Sequence, residues 1–250
     1  MIRALVFDFD GVLVDSEVTH VAVWRDAFRA HGCDFTVEEW STCLGTTGGF
    51  DPATALRARS RIAVAEGTEA LVHRRYQELV RSRGLMPGVV DWLDAASVRG
   101  LGTAIASSSR REWVGPFVDE LGLRGRIDQV ICYDGSIPAK PAPDLYLAAC
   151  AALGAAPQEA VAVEDSPNGV AAAVAAGLFC VVVTHAATDA RAADRADLVL
   201  PTLEAVPLAE VLAVADRRQP RAAAQGGRPR SPGGLSRGRP PGSAAGARRR

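Results

Sequence analysis

Residues 5–11 read Leu-Val-Phe-Asp-Phe-Asp-Gly, and the interpretation of the whole chain starts from this stretch. An apolar run, expected to form a buried strand over residues 2–8, ends in Asp8 and Asp10, and Gly11 follows. Alternate side chains of a strand point to the same side, so the two carboxylates would lie together at the strand's end. They repel each other unless a cation or a shared proton is present. The stretch therefore predicts a strand that leads into a catalytic or metal-binding loop.

The composition is that of a globular protein with a strongly basic end. Of the 250 residues, 48% are hydrophobic, which is enough for a sizeable core in one or two domains. Residues 217–250 hold ten arginines and no acid, whereas the remainder carries 18 basic and 29 acidic residues, a net charge of −11. The basic end is rich in Arg, Pro, Gly, Ser and Ala, so we expect a disordered tail.

Nothing in the sequence indicates export or a membrane segment. The five cysteines are scattered without a C-x-x-C pattern, and no apolar run approaches the roughly 18 residues of a membrane span. The first residues, Met-Ile-Arg, lead straight to Asp8 without a signal-peptide pattern. We expect a cytoplasmic monomer with reduced cysteines.

Residues 16–85 have helical periodicity. Apolar side chains recur at helical spacing over residues 21–28, and residues 36–39 (Thr-Val-Glu-Glu) read as a capping box. The pair Asp51-Pro52 is typical of a helix start, with an N-cap aspartate and a proline in the first turn. These signals predict a small insert of four helices, called here the helical insert.

After the helical insert, helices alternate with apolar strands. Strands are expected at residues 102–106, 127–132, 160–164, 179–183 and 197–200. Such alternation is typical of a parallel sheet with helices on both faces. The predicted fold class is thus α/β: a Rossmann-like core of residues 1–15 and 86–216, interrupted by the helical insert (16–85) and followed by the tail (217–250).

Polar side chains follow four of the predicted strands: Asp8 and Asp10, Ser107–Ser109, Lys140, and Glu164-Asp165. In open parallel sheets, ligands bind beyond the carboxyl ends of the strands. Taken singly, each group also fits a solvated loop or a helix cap. Lys140 is the only lysine among 28 basic residues. Together, in this order and at one edge, the groups favour a single site.

The chemistry that this set suits is phosphoryl transfer. The carboxylate of Asp8 could attack phosphorus and form an acyl phosphate, which divides one difficult step into two easier ones. Asp10 could protonate the leaving oxygen and then deprotonate a water molecule. Ser107 would donate a hydrogen bond to a phosphate oxygen, and Lys140 would offset the negative charge.

A cation is also expected, because several carboxylates would repel a phosphate dianion. Mg²⁺ prefers oxygen ligands and usually keeps several waters. We expect Mg²⁺ to be bound by Asp8, Asp165 and the backbone carbonyl of Asp10, with Glu164 as a ligand or next to one.

The four groups resemble the four motifs of the haloacid dehalogenase superfamily: Asp8-Phe-Asp-Gly-Val12, Ser107, Lys140-Pro-Ala-Pro-Asp144 and Glu164-Asp-Ser-Pro-Asn-Gly169. The helical insert resembles the cap of the branch with phosphoglycolate phosphatase-like and β-phosphoglucomutase-like enzymes. The resemblance covers about residues 2–215. It implies Asp8 as nucleophile, Asp10 as acid and base, and Mg²⁺ as cofactor.

The resemblance also implies contacts with the substrate. Ser107 and Lys140 would bind the phosphate, and we expect further contacts from Phe9, Ser108, His20, Thr46 and Thr47. The expected partner is a small phosphorylated metabolite such as a sugar, polyol or hydroxy-acid phosphate.

Within the family, two activities stay open. The second aspartate, Asp10, argues against a dehalogenase, and the lack of any other lysine than Lys140 argues against a phosphonoacetaldehyde hydrolase. His20 matches a histidine of β-phosphoglucomutases, but the loop at 45–50 has no positive charge for a second phosphate. We therefore expect a phosphatase, with a sugar-phosphate mutase as the alternative. Only the basic tail points towards nucleic acid, because arginines bind phosphates without needing a fold, and we do not expect nucleic acid as a partner.

Overall fold

The computed structural model describes residues 1–41, 50–186, 188 and 190–218. The predicted substrate contacts Thr46 and Thr47, and the tail beyond Arg218, lie outside these residues. The strands are β1 (Ala4–Phe7), β2 (Gly102–Ser107), β3 (Gln129–Cys132), β4 (Ala160–Glu164), β5 (Phe179–Val183) and β6 (Leu198–Leu200). The α-helices are α1 (Ser16–Ala30), α2 (Val37–Ser41), α3 (Pro52–Arg59), α4 (Thr68–Arg83), α5 (Val89–Val98), α6 (Arg111–Glu120), α7 (Asp144–Leu153), α8 (Pro167–Ala176) and α9 (Leu208–Arg217). Within the described residues, no helix has the length and apolar character needed to cross a membrane.

The six strands form one parallel sheet in the order β3-β2-β1-β4-β5-β6. Val6 of β1 pairs with Ala104 of β2 on one side and with Ala162 of β4 on the other. The predicted α/β fold class is confirmed. Because β1 lies between β2 and β4, the polar residues that follow these three strands meet at one edge.

Helices cover both faces of the sheet, and the side chains of β1 show this directly. Leu5 and Phe7 belong to a core that includes residues of α5, α6 and α9, whereas Ala4 and Val6 belong to a second core with α7 and α8. All four side chains are buried. A strand covered on both faces needs apolar residues throughout. That requirement explains the unbroken apolar run before Asp8.

The helix starts predicted in the helical insert are confirmed. The backbone N–H of Glu39 donates to Thr36 Oγ1 at 3.1 Å, and the N–H of Thr36 donates to Glu39 Oε2 at 2.9 Å, which completes the capping box. The side chain of Asp51 accepts a hydrogen bond from the N–H of Ala53 at 3.1 Å. Local capping chemistry is thus enough to place both helix starts.

The end of the folded chain differs from the expectation. Helix α9 begins at Leu208 and includes Arg217, which the sequence assigns to the tail. Arg218 donates from its guanidinium to Asp197 Oδ2 at 2.6 Å and to the carbonyl of Leu178 at 3.3 Å. These bonds attach the helix end to the sheet, so the folded part extends two residues further.

The helical insert leaves and rejoins the core at one place. Val14 and Leu85 form an antiparallel bridge, and the N–H of Met86 donates to the carbonyl of Leu13 at 2.9 Å. Beside this bridge, Arg83 forms an ion pair with Asp15. The two connecting segments therefore run side by side next to the loop that carries Asp8 and Asp10.

Candidate active site

The loop after β1 is shaped by a close approach to the end of β4. The N–H of Asp8 donates to the carbonyl of Val163 at 2.9 Å, which continues the pairing of β1 with β4. Gly11 follows with φ of +80°, a conformation that favours glycine. A Cβ at Gly11 would lie 2.0 Å from Asp165 Oδ2. Only a residue without a side chain lets the loop pass this close to Asp165.

Lys140 lies at the centre of a buried charged cluster. Its Nζ donates to Asp8 Oδ1 at 2.7 Å and to Glu164 Oε1 at 2.6 Å. The side chain of Lys140 is only 4% exposed. The hydroxyl of Tyr146 also donates to Glu164 Oε1, at 2.6 Å, and the Tyr146 ring centroid is 4.9 Å from the ammonium. The backbone N–H of Lys140 donates to Ser108 Oγ at 3.2 Å, which attaches the backbone at Lys140 to the segment after β2.

The cluster holds more negative than positive charge. Burial lowers the pKa of Lys140, but the carboxylates of Asp8 and Glu164 outweigh burial and leave this pKa raised. Burial raises the pKa of Asp8 well above its usual range, and Glu164 and Asp165 add to this while Lys140 opposes it. The pKa of Asp165 is raised in the same way, first by burial and then by Glu164. One ammonium is therefore too little to neutralise the buried carboxylates.

Three of these carboxylates fit a divalent cation. One oxygen each from Asp8, Glu164 and Asp165 lie within 4.8 Å of one another, and all three residues are buried. The group consists of oxygen donors only, which suits Mg²⁺, and a cation would offset the surplus negative charge. The side chain of Asp10 does not join this group, so the expected participation of Asp10 would rest on its backbone carbonyl.

The carboxylate of Asp10 is held by the start of α6. Ser109 Oγ donates to Asp10 Oδ2 at 2.6 Å, and the indole N–H of Trp113 donates to Asp10 Oδ1 at 2.9 Å. Both donors are neutral. The sequence analysis did not single out Trp113. Its position could have indicated a contact with the site, because Trp113 lies six residues after Ser107, in the first turn of α6, and α6 begins at the site.

Two other predicted residues lie at the same edge of the sheet. Ser107 ends β2, two residues after Ile105, which pairs with Phe7. The Ser107 side chain is buried, and its Oγ accepts from the N–H of Ser109 at 3.0 Å. The ring of Phe9 is fully buried, with its centroid 5.9 Å from that of Phe117. The side chain of Phe9 is thus part of the apolar core, and an expected phosphate contact of Phe9 would rest on its backbone.

His20 lies in the helical insert, among aromatic rings. Its Nε2 accepts from the indole N–H of Trp24 at 3.0 Å, and its ring centroid is 4.9 Å from Trp40 and 4.7 Å from Tyr76. Burial, with a smaller contribution from His73, lowers the pKa of His20 to about 4. The neutral ring borders a cavity of about 880 Å³ in the helical insert. These contacts do not bring His20 to the charged cluster.

Two residues outside the predicted site interact with the charged cluster. His185 Nε2 is 2.8 Å from Asp165 Oδ2. It follows β5, and asking which polar residues end that strand would have found it, as it found the others. Glu17, in the first turn of α1, has its pKa raised to about 8, mainly by burial and then by Asp165 and Asp10. The carboxyl group of Glu17 in the helical insert is therefore buried and interacts electrostatically with Asp165 and Asp10.

Comparison with known proteins identifies the family. The family model described as haloacid dehalogenase-like hydrolase matches residues 2–177, which include all four polar groups of the site. The chain belongs to the haloacid dehalogenase-like hydrolases. The clustering of Asp8, Lys140, Glu164 and Asp165 is therefore seen in an enzyme of this family.

Relatives of this haloacid dehalogenase-like hydrolase align over most of their length. YhcW of Bacillus subtilis (strain 168) is provisionally named a phosphatase. It is 36% identical to this chain over an alignment that covers 75% of this chain and 86% of YhcW. The structure of CbbY from Rhodobacter sphaeroides with phosphate has 30% identity and a TM-score of 0.64, covering 86% of this chain and 100% of CbbY. A CbbY mutant with xylulose-(1,5)bisphosphate has 30% identity and a TM-score of 0.61, covering 82% and 96%. A Thermotoga maritima protein provisionally named β-phosphoglucomutase has 25% identity and a TM-score of 0.70, covering 85% and 99%.

Proposed function

We propose that the protein is a Mg²⁺-dependent phosphatase that acts on a small phosphorylated metabolite through an aspartyl-phosphate intermediate. The observation that carries this proposal is the contact between Asp8 and Lys140 at the carboxyl end of the central strand, beside Glu164 and Asp165. A carboxylate in this position can approach a bound phosphate, while the ammonium offsets the charge of both groups.

The reaction would proceed in two steps. In the first, an oxygen of Asp8 forms a bond to phosphorus, the bond to the leaving oxygen breaks, and Asp10 gives that oxygen a proton. In the second, Asp10 takes a proton from water, the water oxygen bonds to phosphorus, and the bond to Asp8 breaks. Lys140, which donates a hydrogen bond to Asp8, favours the ionised form of that carboxyl group before the first step and after the second.

The metal would be held by Asp8, Asp165 and the backbone carbonyl of Asp10, with Glu164 beside them. Mg²⁺ would neutralise charge on phosphate oxygens and help to orient the phosphate. Glu164 already accepts hydrogen bonds from Lys140 and Tyr146, so its role is better described as orienting Lys140.

The substrate class is inferred from the relatives and the site together. The CbbY structures contain phosphate and a sugar bisphosphate, so a sugar, polyol or hydroxy-acid phosphate is the class to test first. Ser107, Ser108 and the backbone of Phe9 would contact the phosphate at the sheet edge. The helical insert, with His20, Thr46 and Thr47, would contact the rest of the substrate.

The test is phosphate release from a panel of sugar, polyol and hydroxy-acid phosphates and an aryl phosphate, with Mg²⁺. We expect turnover that EDTA abolishes and Mg²⁺ restores, and a loss of at least about a thousandfold in Asp8→Asn because the nucleophile is removed. Asp134→Asn is the matched control, since this exposed carboxylate bonds only within its own loop, to Ser136 and Ile137. Failure of the wild-type protein to release phosphate from any ester would refute the proposal.

A sugar-phosphate mutase is the second candidate, favoured by the likeness to the Thermotoga maritima protein. A mutase returns the phosphoryl group to the sugar at a second position instead of passing it to water. Interconversion of hexose 1- and 6-phosphates that a hexose bisphosphate stimulates would support this activity. Free phosphate as the sole product would exclude it.

A further inference from the structure

The helical insert contacts the residue that holds Asp10. The ring of Tyr76, on α4, stacks on the indole of Trp113 with a centroid distance of 5.0 Å and an interplanar angle of 12°. The same indole donates its N–H to Asp10 Oδ1 at 2.9 Å. A continuous chain of contacts therefore runs from the helical insert, through one indole, to the proposed acid and base.

The stack belongs to a broader contact between α4 and α6. Trp113, Phe117 and Glu120 are spaced at i, i+4 and i+7 and so lie on one face of α6. Arg81 of α4 lies 5.1 Å from the Phe117 ring centroid and donates to Glu120 Oε2 at 2.7 Å. Phe117 also supports the indole edge-on, with centroids 4.7 Å apart. The plane of Trp113 is thus set by one ring from the helical insert and one from the core.

The hydrogen bond from Trp113 restricts the orientation of the Asp10 carboxyl group. An indole N–H can only donate, so Oδ1 must face Trp113 as an acceptor. Ser109 holds Oδ2 at 2.6 Å. With both oxygens fixed, the carboxyl plane has one orientation, and proton transfer depends strongly on such orientation.

We propose that Trp113 is a positioning residue for proton transfer by Asp10, and that stacking by Tyr76 makes this positioning depend on the location of the helical insert. The inference rests on the proposed phosphatase function and deepens it. When α4 lies against α6, the stack fixes the indole and the indole fixes Asp10. When α4 moves away, Trp113 loses one face of its support, and Asp10 is less well placed to protonate the leaving group.

Leaving groups of different basicity separate this role from a merely structural one. An alkoxide leaving group needs a proton, whereas p-nitrophenolate departs without one. Loss of the indole N–H should therefore slow hydrolysis of an alkyl phosphate by about tenfold or more and that of p-nitrophenyl phosphate by about twofold at most. A general loss of folded enzyme would slow both equally.

The experiment measures kcat/KM, which reports the steps up to formation of the aspartyl phosphate, for p-nitrophenyl, phenyl and alkyl phosphates in the full-length protein with Mg²⁺. Trp113→Phe keeps a ring but lacks the N–H, and Tyr76→Leu leaves Trp113 in place but removes the stack. Both variants should show a steeper dependence of log kcat/KM on leaving-group pKa, and Tyr76→Phe should restore the wild-type slope. Trp92→Phe is the matched control, because Trp92 also donates its indole N–H, but to the carbonyl of Leu203 in the core.

The outcomes are distinct. A steeper slope in Trp113→Phe and Tyr76→Leu, with a wild-type slope in Trp92→Phe, supports the inference. Equal slowing of all esters in Trp113→Phe, with an active wild-type enzyme, overturns this inference alone. Wild-type protein that hydrolyses none of the esters overturns the proposed function and this inference with it. If Trp113→Phe does not fold, an unchanged slope in Tyr76→Leu is still sufficient to overturn the inference.

Discussion

Asp8 and Asp10 are separated by a single residue, Phe9, yet different parts of the molecule hold them. Asp8 accepts a hydrogen bond from Lys140, within a buried cluster of charges whose hydrogen bonds are made by residues of the core. Asp10 is bonded to the neutral donors Ser109 and Trp113, and Trp113 is in turn stacked on Tyr76 of the helical insert. The contacts of Asp8 are therefore mainly electrostatic, whereas those of Asp10 fix the orientation of its carboxyl group.

The difference matches what each proposed role requires. A nucleophile must be ionised and fixed in one place, and a buried ammonium favours the ionised form. An acid and base must present its carboxyl group to the leaving oxygen and then to water in a defined direction, and the hydrogen bonds from Ser109 and Trp113 fix that direction. The core thus supplies electrostatics, while the contact with the helical insert supplies positioning.

The strongest test of the Asp8 side is removal of its cation. Lys140→Met keeps most of the side-chain volume but leaves Asp8 and Glu164 without their ammonium. We expect the free energy of unfolding to fall by about 3–5 kcal/mol, because a buried charge pair loses one partner. Added Mg²⁺ should restore part of the loss, since a cation can offset the same carboxylates. Urea unfolding with and without Mg²⁺ measures both effects.

The control for Lys140→Met is Arg83→Ala, which breaks the more exposed ion pair with Asp15. Its expected cost is below about 1 kcal/mol. Similar losses in the two variants would contradict the view that Asp8 depends on buried charge.

A second test concerns the close approach of the loop to Asp165. In Gly11→Ala, the new Cβ would overlap Asp165 Oδ2 at 2.0 Å, and the residue would keep a left-handed φ of +80°. We expect a loss of about 3 kcal/mol in stability and about a hundredfold in activity, because Asp8 and Asp165 must move apart.

Gly125→Ala separates backbone strain from overlap. Gly125 has φ of +85° and nothing within 4 Å of a Cβ, so its substitution should cost about 1–2 kcal/mol and leave activity intact. Equal loss of activity in the two variants would refute the steric account of Gly11.

The smallest effect is expected in the helical insert, from the pH dependence of His20. The folded-state pKa of about 4 lies below the ordinary histidine value of 6.5, so between these pH values the unfolded chain binds more protons. The contribution of His20 to the free energy of unfolding is therefore fully present above pH 6.5 and decreases as the pH falls towards 4. At pH 5 the loss is about 2 kcal/mol. In His20→Gln, which keeps an acceptor for Trp24, the decrease should be smaller. Thermal unfolding between pH 4.5 and 7.5, compared for the two proteins, would show it; identical profiles would contradict the assignment.

Strand pattern and strand ends were predictable from sequence because they depend on local chemistry. The apolar run before Asp8 identifies a strand buried on both faces, and polar residues after β1, β2 and β4 must meet at one edge of a parallel sheet. Lys140 could be added because it is the only lysine. The capping box at Thr36 and the start at Asp51 follow from bonds within a few residues.

The remaining features depend on contacts that are distant in sequence. Trp113 reaches Asp10 only when α6 lies beside the β1 loop, 103 residues away in the chain. The position of His185 after β5 is visible in the sequence, but its contact with Asp165 depends on β5 lying next to β4. The inclusion of Arg217 and Arg218 in the folded part depends on Asp197, a partner on another element. Periodicity and capping signals contain no information on such contacts.

The bridge between Val14 and Leu85 has a consequence for how this architecture can vary. The helical insert begins and ends at adjacent points of the core. In terms of chain topology it is therefore one long loop, and the bridge holds its two ends together. The entropy of closing a loop rises only slowly with its length. Segments of other sizes can therefore be inserted between these two residues without a change in strand order, and the charged cluster around Asp8 would stay in place.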